Sequence, residues 1–522
     1  MNLPLVRCAY LLLLINFAQS GRVMRKMKEY VHRAQYQRAH EHLLMRAMSG
    51  KAHANDVQQG VIIQPLDPFI ETSDTFPQRY FINEAYWKDP HGPVFLYIGG
   101  EAALSMYSVL TGHHVEMAEE HGALLVALEH RFYGESINPD GLEIDNLRYL
   151  RSQHNLVDLV SFHKFISQKY KLTHRNTWIS FGGSYPGSLS AWFRGKFPHL
   201  VYGAVASSAP IKAKLDFSTY NKVVGESLMN PNVGGSMKCV SDVWEAFAAV
   251  EAKLLGGNET QAGKDFSSCE PLEGPEDQTE LIQSLADIVM GTVQYDGEGA
   301  PMTIEKLCTL ITNKSEEFEQ EEEAYDRLMK LVKVYLDVTK EPCLQASHAK
   351  NIMELNNTSP LTGKGVGERQ WFYQTCTEFG FYQTCEDASC PFSRMMTLNS
   401  QAELCPLLFG VPLSKLPSIV AFTNHFYGGD HPQTHRVLYV NGNIDPWHEL
   451  SMLSNGTARA DRDRAILING TAHCADMRSA HTEDPPSLIE AHREIEMHVT
   501  KWLKFAAWEN QSANQPDHLT DY

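Results

Sequence analysis

The sequence predicts an α/β fold in which a parallel sheet with flanking helices is interrupted by a largely helical, disulfide-stapled insertion. Three observations support this prediction: short apolar runs alternate with helical patterns, the alternation stops in mid-chain, and the cysteines cluster there. Residues 93–100 (PVFLYIGG) and 123–130 (ALLVALEH) are two such runs, and each ends in glycine or polar residues. Continuous apolar runs of this length are typical of strands buried on both faces of a parallel sheet.

The next elements continue the alternation of strand and helix. Residues 155–170 carry apolar side chains at helical spacing, and residues 177–181 (TWISF) form the following strand-like run. A glycine-lined serine, Ser184, leads into a second helical pattern, and residues 202–210 (YGAVASSAP) predict a further strand. With 522 residues, 43% of them hydrophobic, the chain is long enough for one large domain with an insertion.

The alternation stops near residue 213 and returns in the last quarter of the chain. In the interval, residues 316–338 have the pattern of a strongly amphipathic helix. The buried-strand pattern then reappears at residues 436–442 (RVLYVNG) and 464–470 (RAILING). The predicted division is a first core part (59–212), a helical cap insertion (213–404), a second core part (405–510) and a C-terminal tail (511–522).

The first twenty residues have the organisation of a secretory signal peptide (1–20). Arg7 precedes the largely apolar residues 8–17, and Ala18-Gln19-Ser20 fits a small-x-small cleavage site. The apolar stretch is half of the roughly twenty residues that cross a bilayer, so a membrane anchor is the less favoured alternative. Residues 21–58 are rich in Lys, Arg and His, and they predict either a pro-segment or a loosely packed N-terminal arm. The predicted location is the secretory pathway, leading to the endosome, the lysosome or secretion.

Passage through the secretory pathway would allow glycosylation of the sequons and disulfide formation between the cysteines. Removal of the signal leaves nine cysteines, and the eight between residues 239 and 405 predict a disulfide framework whose pairing stays open. The ninth, Cys474, is either unpaired or ties the insertion to the core. Paired CxxC knuckles are missing, so neither a metal site nor a cofactor is predicted. The sequons predict glycans at Asn258, Asn313, Asn356, Asn357, Asn455, Asn469 and Asn510.

The charge balance narrows the classes of partner. A net charge of -18 argues against nucleic acid and anionic membranes, because both attract basic surfaces. The 23 histidines would reduce the acidic excess between neutral and endosomal pH. A homodimer is left open by the sequence.

Ser184 has the setting of a hydrolase nucleophile, although the usual G-x-S-x-G spacing fails around it. Counted from Gly182, the fifth residue is Pro186, and the glycine arrives one position later at Gly187. Proline is acceptable there because the first turn of a helix has no intrahelical partner for its N–H groups. The competing interpretation is a glycine-rich turn with a passive serine.

A serine nucleophile needs an imidazole to accept its proton and a carboxylate to orient that imidazole. In α/β-hydrolases the three residues follow strand ends in the order Ser, Asp, His. Asp445 follows the strand-like run VLYV, and His473 follows the run AILI. Alone, Asp445 would be an ordinary Asp-Pro turn and His473 one histidine among 23. Their joint order predicts a Ser184–Asp445–His473 triad.

Stabilisation of the oxyanion requires backbone N–H donors close to the nucleophile. The residue after the nucleophile, Tyr185, supplies one such N–H group. The loop after an earlier strand, in the run YIGGEA, supplies the second from Gly100 or Glu101. A simple tight turn is the alternative for this glycine pair.

Six motifs stand out along the chain: GGSYPGSLSAW, GGEA, LEHRFYGES, RQWFYQTCTEFGFYQTC, NGNIDPW and GTAHCADM. Together they resemble the lysosomal Pro-X carboxypeptidase family, which also contains dipeptidyl peptidase II, over residues 66–503. The resemblance implies an α/β-hydrolase core with a helical cap, the triad described above, and an endosomal or lysosomal peptidase active at acidic pH. Relatives that cleave after proline carry a methionine in their proline pocket where this chain has Ser188, whereas Trp447 matches.

The family contains both carboxypeptidases and aminopeptidases, and two charged residues could distinguish them. Arg369 could pair with a substrate carboxylate and Glu378 with a substrate ammonium, on either side of an aromatic run that includes Trp371. An internal structural Arg–Glu pair is the alternative. The predicted function is a serine exopeptidase acting on peptides, and the alternatives are a catalytically silent lumenal glycoprotein and a lipase-like esterase.

Overall fold

The computed structural model describes residues 23–49, 57–71, 74–312, 323–360, 366–454 and 463–512. Eight strands in these ranges form one mixed sheet in the order β1-β2-β4-β3-β5-β6-β9-β10, and a short pair, β7 and β8, lies apart from it. The strands are β1 (Val57–Pro65), β2 (Thr75–Asn83), β3 (Val94–Ile98), β4 (Leu124–Leu128), β5 (Trp178–Gly183), β6 (Gly203–Ser207), β7 (Lys214–Asp216), β8 (Gly380–Tyr382), β9 (Val437–Gly442) and β10 (Arg464–Ile468).

The sheet is parallel from β4 to β10 and antiparallel at its other edge. Strand β2 runs antiparallel to both β1 and β4, whereas all pairings from β4 through β10 are parallel. Gly183 pairs with Ser207, and Gly442 pairs with Ile468, so the carboxyl ends of β5, β6, β9 and β10 share one edge. The predicted α/β class and the strands expected on either side of the insertion are confirmed, and the topology is that of an α/β-hydrolase core.

Helices of the core cover both faces of the sheet. The buried apolar residues of β3 and β4 pack between them, as the continuous apolar runs predicted. These helices are α2 (His113–His121), α3 (Ile144–Leu147), α4 (Ser152–Lys169), α5 (Tyr185–Lys196) and α17 (Pro486–Ser512), and short 3₁₀ turns lie at Met106–Val109, Pro446–Leu450 and Ala475–Met477.

The insertion is a helical cap between two parts of the sheet. The sheet is left at Ser207 and re-entered only at Val437, and the helices between these strands include some that follow residue 404. Asn424 is joined to the start of the insertion, because its side chain forms two hydrogen bonds with the backbone of Ala213 at 2.7 and 2.8 Å. Its helices are α6 (Ser218–Met229), α7 (Met237–Leu255), α8 (Glu259–Asp265), α9 (Pro275–Gln294), α10 (Ile304–Thr312), α11 (Ala324–Thr339), α12 (His348–Leu355), α13 (Glu368–Gln374), α14 (Leu398–Ala402), α15 (Leu404–Phe409) and α16 (Leu416–Tyr427), with 3₁₀ turns at Pro231–Val233 and Leu413–Lys415 and a π-helical turn at Thr375–Phe379.

Four disulfides hold the cap together and confirm the predicted framework. All eight cysteines between residues 239 and 405 are paired, whereas Cys474 is free and half-buried. The two longest loops that are closed span 69 and 74 residues, and closing them restricts the unfolded chain. The pairs are Cys239–Cys308, Cys269–Cys343, Cys376–Cys405 and Cys385–Cys390.

The N-terminal arm contains a long helix, α1 (Val23–Met48), that joins the cap to the core. Its first turns are buried against α9, where a side chain added at Gly291 would lie 2.7 Å from Met27 Cγ. Near its other end, Arg46 forms a 2.6 Å ion pair with Glu119 of the core. Helix α1 is therefore packed near both of its ends.

Five of the seven sequons fall within the described residues, and Asn313 and Asn455 lie outside them, as does the predicted signal segment 1–20. Four of the five are exposed: Asn258, Asn356, Asn357 and Asn469. The amide nitrogen of Asn510, to which a glycan would be attached, donates a hydrogen bond to the carbonyl of His174 at 3.0 Å. In the part of the chain that the structure describes, no single helix has the length and apolarity to cross a membrane, although the bent pair Leu398–Phe409 and Leu413–Tyr427 meets both criteria together.

Candidate active site

Ser184 occupies the sharp turn between β5 and α5. Its φ angle of 63° lies in the left-handed region, which is strained for a residue with a side chain. The turn is held because the Ser184 N–H donates to the carbonyl of Ser207 at 2.9 Å, and the Ser188 N–H donates to the carbonyl of Ser184 at 3.1 Å. This is the geometry of a nucleophile elbow, which exposes a serine hydroxyl above the carboxyl edge of the sheet.

The displaced glycine of the motif has a packing explanation. A Cβ atom at Gly187 would lie 2.7 Å from the carbonyl oxygen of Ser207, so the helix and the neighbouring strand come close together at this residue. Gly182 is equally confined, because its added Cβ would collide with the carbonyl of Pro186. Pro186 itself lies in the first turn of α5, where its missing N–H leaves no hydrogen bond unmade.

Asp445 and His473 come together from the ends of two adjacent strands. Asp445 follows β9 and His473 follows β10, and Nδ1 of the imidazole lies 2.9 Å from Oδ2 of the carboxylate. The carboxylate can only accept, so Nδ1 carries the hydrogen and Nε2 is left to accept a proton. The second carboxylate oxygen accepts from the Trp447 N–H at 3.0 Å, which fixes the orientation of the side chain.

The pair is buried, and its environment determines its charge. Burial opposes protonation of His473, but the Asp445 carboxylate and the neighbouring Cys474 outweigh it and hold the pKa of the imidazole well above its usual value. Asp445 is 0% exposed, so its charge acts through a poorly screened interior. The arrangement favours a positively charged imidazole, as is required when the base has accepted a proton.

A cleft of about 710 Å³ lies between the core and the cap. Ser184 and His473 both line it, together with a wall of aromatic side chains and one face of α1. The residues predicted for the site that line this cleft are Ser184, His473, Tyr185, Gly100, Glu101, Trp371 and Trp447.

The loop that carries Gly100 and Glu101 lies against the first turn of α5. A side chain at Gly100 would collide with the ring of Pro186, so glycine is required for this approach. Tyr185 is the first residue of α5, and its N–H therefore has no intrahelical acceptor. These are the residues from which the sequence predicted the oxyanion donors.

Arg369 and Glu378 do not reach the cleft, which corrects the expectation that they bind a substrate terminus. Arg369 donates to the carbonyls of Leu142 and Leu355 at 2.9 and 2.7 Å. Glu378 accepts from the backbone N–H and the hydroxyl of Ser152 at 2.9 and 2.7 Å. The internal Arg–Glu pair is not formed either, since each residue is buried with partners of its own.

Glu378 instead supports the elbow indirectly, through Gln374 and the side chain of Tyr185. Its second oxygen accepts from Gln374 Nε2 at 3.0 Å, and the same amide group donates to the Tyr185 hydroxyl at 3.1 Å. The ring nitrogen of His130 completes this arrangement at 2.9 Å from the Tyr185 hydroxyl. Burial raises the pKa of Glu378, which agrees with a structural carboxyl inside the protein.

Ser188 also differs from its expected place. It is fully buried within α5, it is not among the residues that line the cleft, and its hydroxyl has no hydrogen-bond partner among the described residues. It therefore does not form a wall of the substrate pocket.

Two residues of the cap were missed by the sequence reasoning and lie directly at the site. Gln294 accepts hydrogen bonds from the Tyr220 hydroxyl and from the Trp447 indole, and the ring of Tyr295 packs edge-on against His473 with centroids 6.0 Å apart. Gln294 and Tyr295 lie in the insertion, about 180 residues before the histidine that they approach, so their contact with it arises only when the cap folds onto the core.

Comparison with known proteins decides the family. The model of the family described as serine carboxypeptidase S28 matches residues 64–495. The chain belongs to the S28 family of serine peptidases. The predicted family resemblance is thereby confirmed, and the S28 family match covers both parts of the core and the whole cap.

Individual S28 relatives agree with this assignment. Thymus-specific serine protease from Homo sapiens is 44% identical over 455 residues, which cover 86% of this chain and 87% of that protein. The corresponding Mus musculus protein is also 44% identical, over 86% of this chain and 88% of that protein. Lysosomal Pro-X carboxypeptidase from Bos taurus is 28% identical over 85% of this chain and 87% of its own length.

Solved structures were also compared. A carboxyl esterase from Bacillus coagulans aligns over 86% of this chain and 99% of its own, with a TM-score of 0.32 and 11% identity. Proline iminopeptidase from Mycobacterium smegmatis aligns over 86% of this chain and 100% of its own, with a TM-score of 0.33 and 11% identity.

Proposed function

We propose that this S28 peptidase is a serine exopeptidase that hydrolyses peptide bonds through an acyl-enzyme on Ser184. The observation that carries the proposal is the 2.9 Å contact between His473 and Asp445, at the wall of the cleft that Ser184 also lines. A buried carboxylate that fixes one nitrogen of an imidazole leaves the other nitrogen free to act as a base.

In the first half of the reaction, His473 Nε2 accepts the proton of Ser184 as Oγ attacks the scissile carbonyl carbon. The new C–O bond gives a tetrahedral intermediate whose negative oxygen is stabilised by the N–H groups of Tyr185 and of Gly100 or Glu101. The imidazolium then donates its proton to the amide nitrogen as the C–N bond breaks. The amine product leaves, and the acyl group remains as an ester on Ser184.

In the second half, water replaces the amine. His473 accepts a proton from the water as its oxygen attacks the ester carbonyl, and the same oxyanion donors stabilise the second intermediate. Collapse of this intermediate breaks the bond to Oγ and returns the proton to Ser184. The products are a free carboxylate and the regenerated enzyme.

The acyl side of the cleft favours an apolar residue. Trp447 packs against Phe217, Phe381 and Tyr220 with ring centroids between 5.3 and 5.8 Å apart. Of these four residues Trp447 lines the cleft, and an indole backed by other rings binds an apolar side chain by burial of its surface and selects against a charged one. This supports an apolar P1 residue in the substrate.

The position of helix α1 supports the proposals that access of peptides to the cleft is restricted and that residues 21–58 are a pro-segment. Residues of α1 line the cleft opposite Ser184, and Lys28 lies 6.0 Å from the centre of the Trp371 ring. Contacts of Met27 with the cap and of Arg46 with the core hold the helix across the space between cap and core. We infer that long peptides reach Ser184 only when α1 is displaced or removed.

The remaining proposals concern the cellular setting. Relatives named as lysosomal carboxypeptidases, the signal-like residues 1–20 and the exposed sequons support a glycoprotein of the endosome, the lysosome or the extracellular space. Asn469 is exposed and is not among the residues lining the cleft, which supports a glycan that points away from the substrate. A homodimer is tested by sedimentation of the glycosylated protein.

A peptide-library digest followed by mass spectrometry tests the proposed activity. We expect the wild-type protein to release terminal residues or dipeptides after apolar P1 residues, and Ser184→Ala to release none. Turnover of short esters without any peptide turnover would favour an esterase. A folded wild-type protein that binds peptides without cleaving them would establish the silent glycoprotein instead.

A further inference from the structure

The cap places the polar side chain of Gln294 at the centre of the catalytic apparatus. Gln294 is the last residue of α9 and is 3% exposed. Its Oε1 atom accepts from the Tyr220 hydroxyl at 2.6 Å and from Trp447 Nε1 at 3.1 Å. An indole N–H can only donate, so the atom facing Trp447 is the amide oxygen and the orientation of the amide is fixed.

The main chain of the same residue holds the loop that carries the base. The carbonyl of Gln294 accepts the backbone N–H of His473 at 3.0 Å. One residue of the cap therefore contacts the histidine loop through its backbone and the pocket wall through its side chain. Because Trp447 also follows Asp445 by two residues, these bonds fix the pocket wall relative to both members of the Asp–His pair.

The other contacts of the Trp447 ring show why its hydrogen bond to Gln294 matters. Its other neighbours are aromatic rings, which allow an indole to slide or tilt because they provide surface contact without a directional bond. The two hydrogen bonds to Gln294 Oε1 are directional and buried, and leaving either donor without an acceptor is costly. Gln294 is therefore the group that defines where the indole lies.

We propose that Gln294 is a positioning residue that sets the P1 preference of the enzyme by fixing the Trp447 wall relative to His473. This inference rests on the proposed peptidase activity and deepens it. The role is one of positioning, since Gln294 acts on the substrate through Trp447 and on the base through the backbone of its loop.

The test compares kcat and KM for a series of peptides that differ only in the P1 residue. Gln294→Leu keeps the size of the side chain but removes the acceptor, and we expect kcat/KM for the preferred P1 residue to fall by about 10- to 100-fold. Less-favoured P1 residues should lose much less, so that the preference flattens. Tyr220→Phe removes one of the two donors and should shift the preference in the same direction by a smaller factor.

Gln283 provides a matched control on the same helix. It is also buried and also accepts a hydrogen bond, from Gln401 at 3.2 Å, but it lies outside the cleft. Gln283→Leu should lower the melting temperature as Gln294→Leu does, without changing the P1 preference. Gln294→Glu retains an acceptor for both donors and should retain the P1 preference.

The outcomes separate this inference from the proposed function. Peptide turnover that persists in Ser184→Ala would overturn the function itself. With Ser184-dependent turnover established, an unchanged P1 preference in Gln294→Leu, or an equal change in Gln283→Leu, would overturn the role of Gln294 alone. If Gln294→Leu does not fold, Tyr220→Phe decides, and an unchanged preference in that variant contradicts the proposal.

Discussion

His473 Nδ1 lies 2.9 Å from Oδ2 of Asp445, and both side chains are buried at the carboxyl edge of the sheet. The contact joins two residues from neighbouring strand ends that are 28 positions apart in the chain. It sets the tautomer of the imidazole, and its charge raises the pKa of the base.

Asp445→Asn tests this contact directly. An asparagine amide stabilises the wrong tautomer and removes the charge, so we expect kcat to fall by about ten-thousand-fold with little change in folding. Asp476→Asn is a matched control, because Asp476 is a buried carboxylate three residues after His473 that binds the Ser207 hydroxyl instead. A similar loss in both variants would show that burial of charge, rather than orientation of the base, explains the effect.

The pH profile of kcat/KM reports the pKa of His473. The base must be neutral to accept the proton of Ser184, so activity is lost as the pH falls through that pKa. Because the pKa is raised, we expect this acid limb above the ordinary value of about 6.5. Cys474→Ala removes a group that raises the pKa and should move the limb to lower pH. A limb that stays in place in this variant would exclude the contribution of Cys474.

Pro186→Gly and Gly187→Ala separate the two unusual positions of the elbow. Pro186→Gly should retain most of the activity and cost about 1 kcal/mol of stability, through the greater freedom of the unfolded chain. Gly187→Ala places a Cβ atom 2.7 Å from the carbonyl of Ser207 and should displace α5, with a loss of about 1–3 kcal/mol and of most activity. Kinetics and urea unfolding of both variants provide the comparison, and equal effects would refute this account of the motif.

Loosening α1 should increase access to the cleft. Met27→Glu places a charge in the buried contact between α1 and α9, and we expect kcat/KM for long peptides to rise about tenfold, which corresponds to ~1.4 kcal/mol. Met48→Glu changes a methionine of the same helix that is 90% exposed and should have no effect. Hydrolysis of a short peptide serves as the internal reference. Equal rates for long peptides in all three proteins would contradict the inhibitory role of α1.

The sequence was informative where local pattern and tertiary environment agree. Strands β3 to β6 are buried on both faces, so their apolar runs predicted them, and the positions of Asp445 and His473 after two later strands predicted their meeting. The paired cysteines of the cap followed from their clustering. Strands β1 and β2 escaped prediction because β1 is an edge strand with exposed residues such as Val61 and Ile63 and lacks a continuous apolar run.

The rest of the site depends on contacts between distant segments. Charge alone suggested Arg369 and Glu378 as residues that bind a substrate terminus. Their buried partners include Leu142 and Ser152, which lie more than 200 residues away in the chain. No site role was predicted for Gln294, and its importance appears only when α9 is folded over Trp447. The predicted end of the cap at residue 404 rests on sequence pattern alone, and helices α15 and α16 lie between that residue and β9.

The central claim is that Ser184 is the nucleophile of a working Asp–His-assisted site, and active-site labelling with a fluorophosphonate tests it most directly. We predict one covalent adduct, located on Ser184 by peptide mass spectrometry, in the wild-type protein and in Met27→Glu. The adduct should be absent from Ser184→Ala and form much more slowly in Asp445→Asn. No adduct in either the wild type or Met27→Glu, or an adduct that persists in Ser184→Ala, would contradict the account.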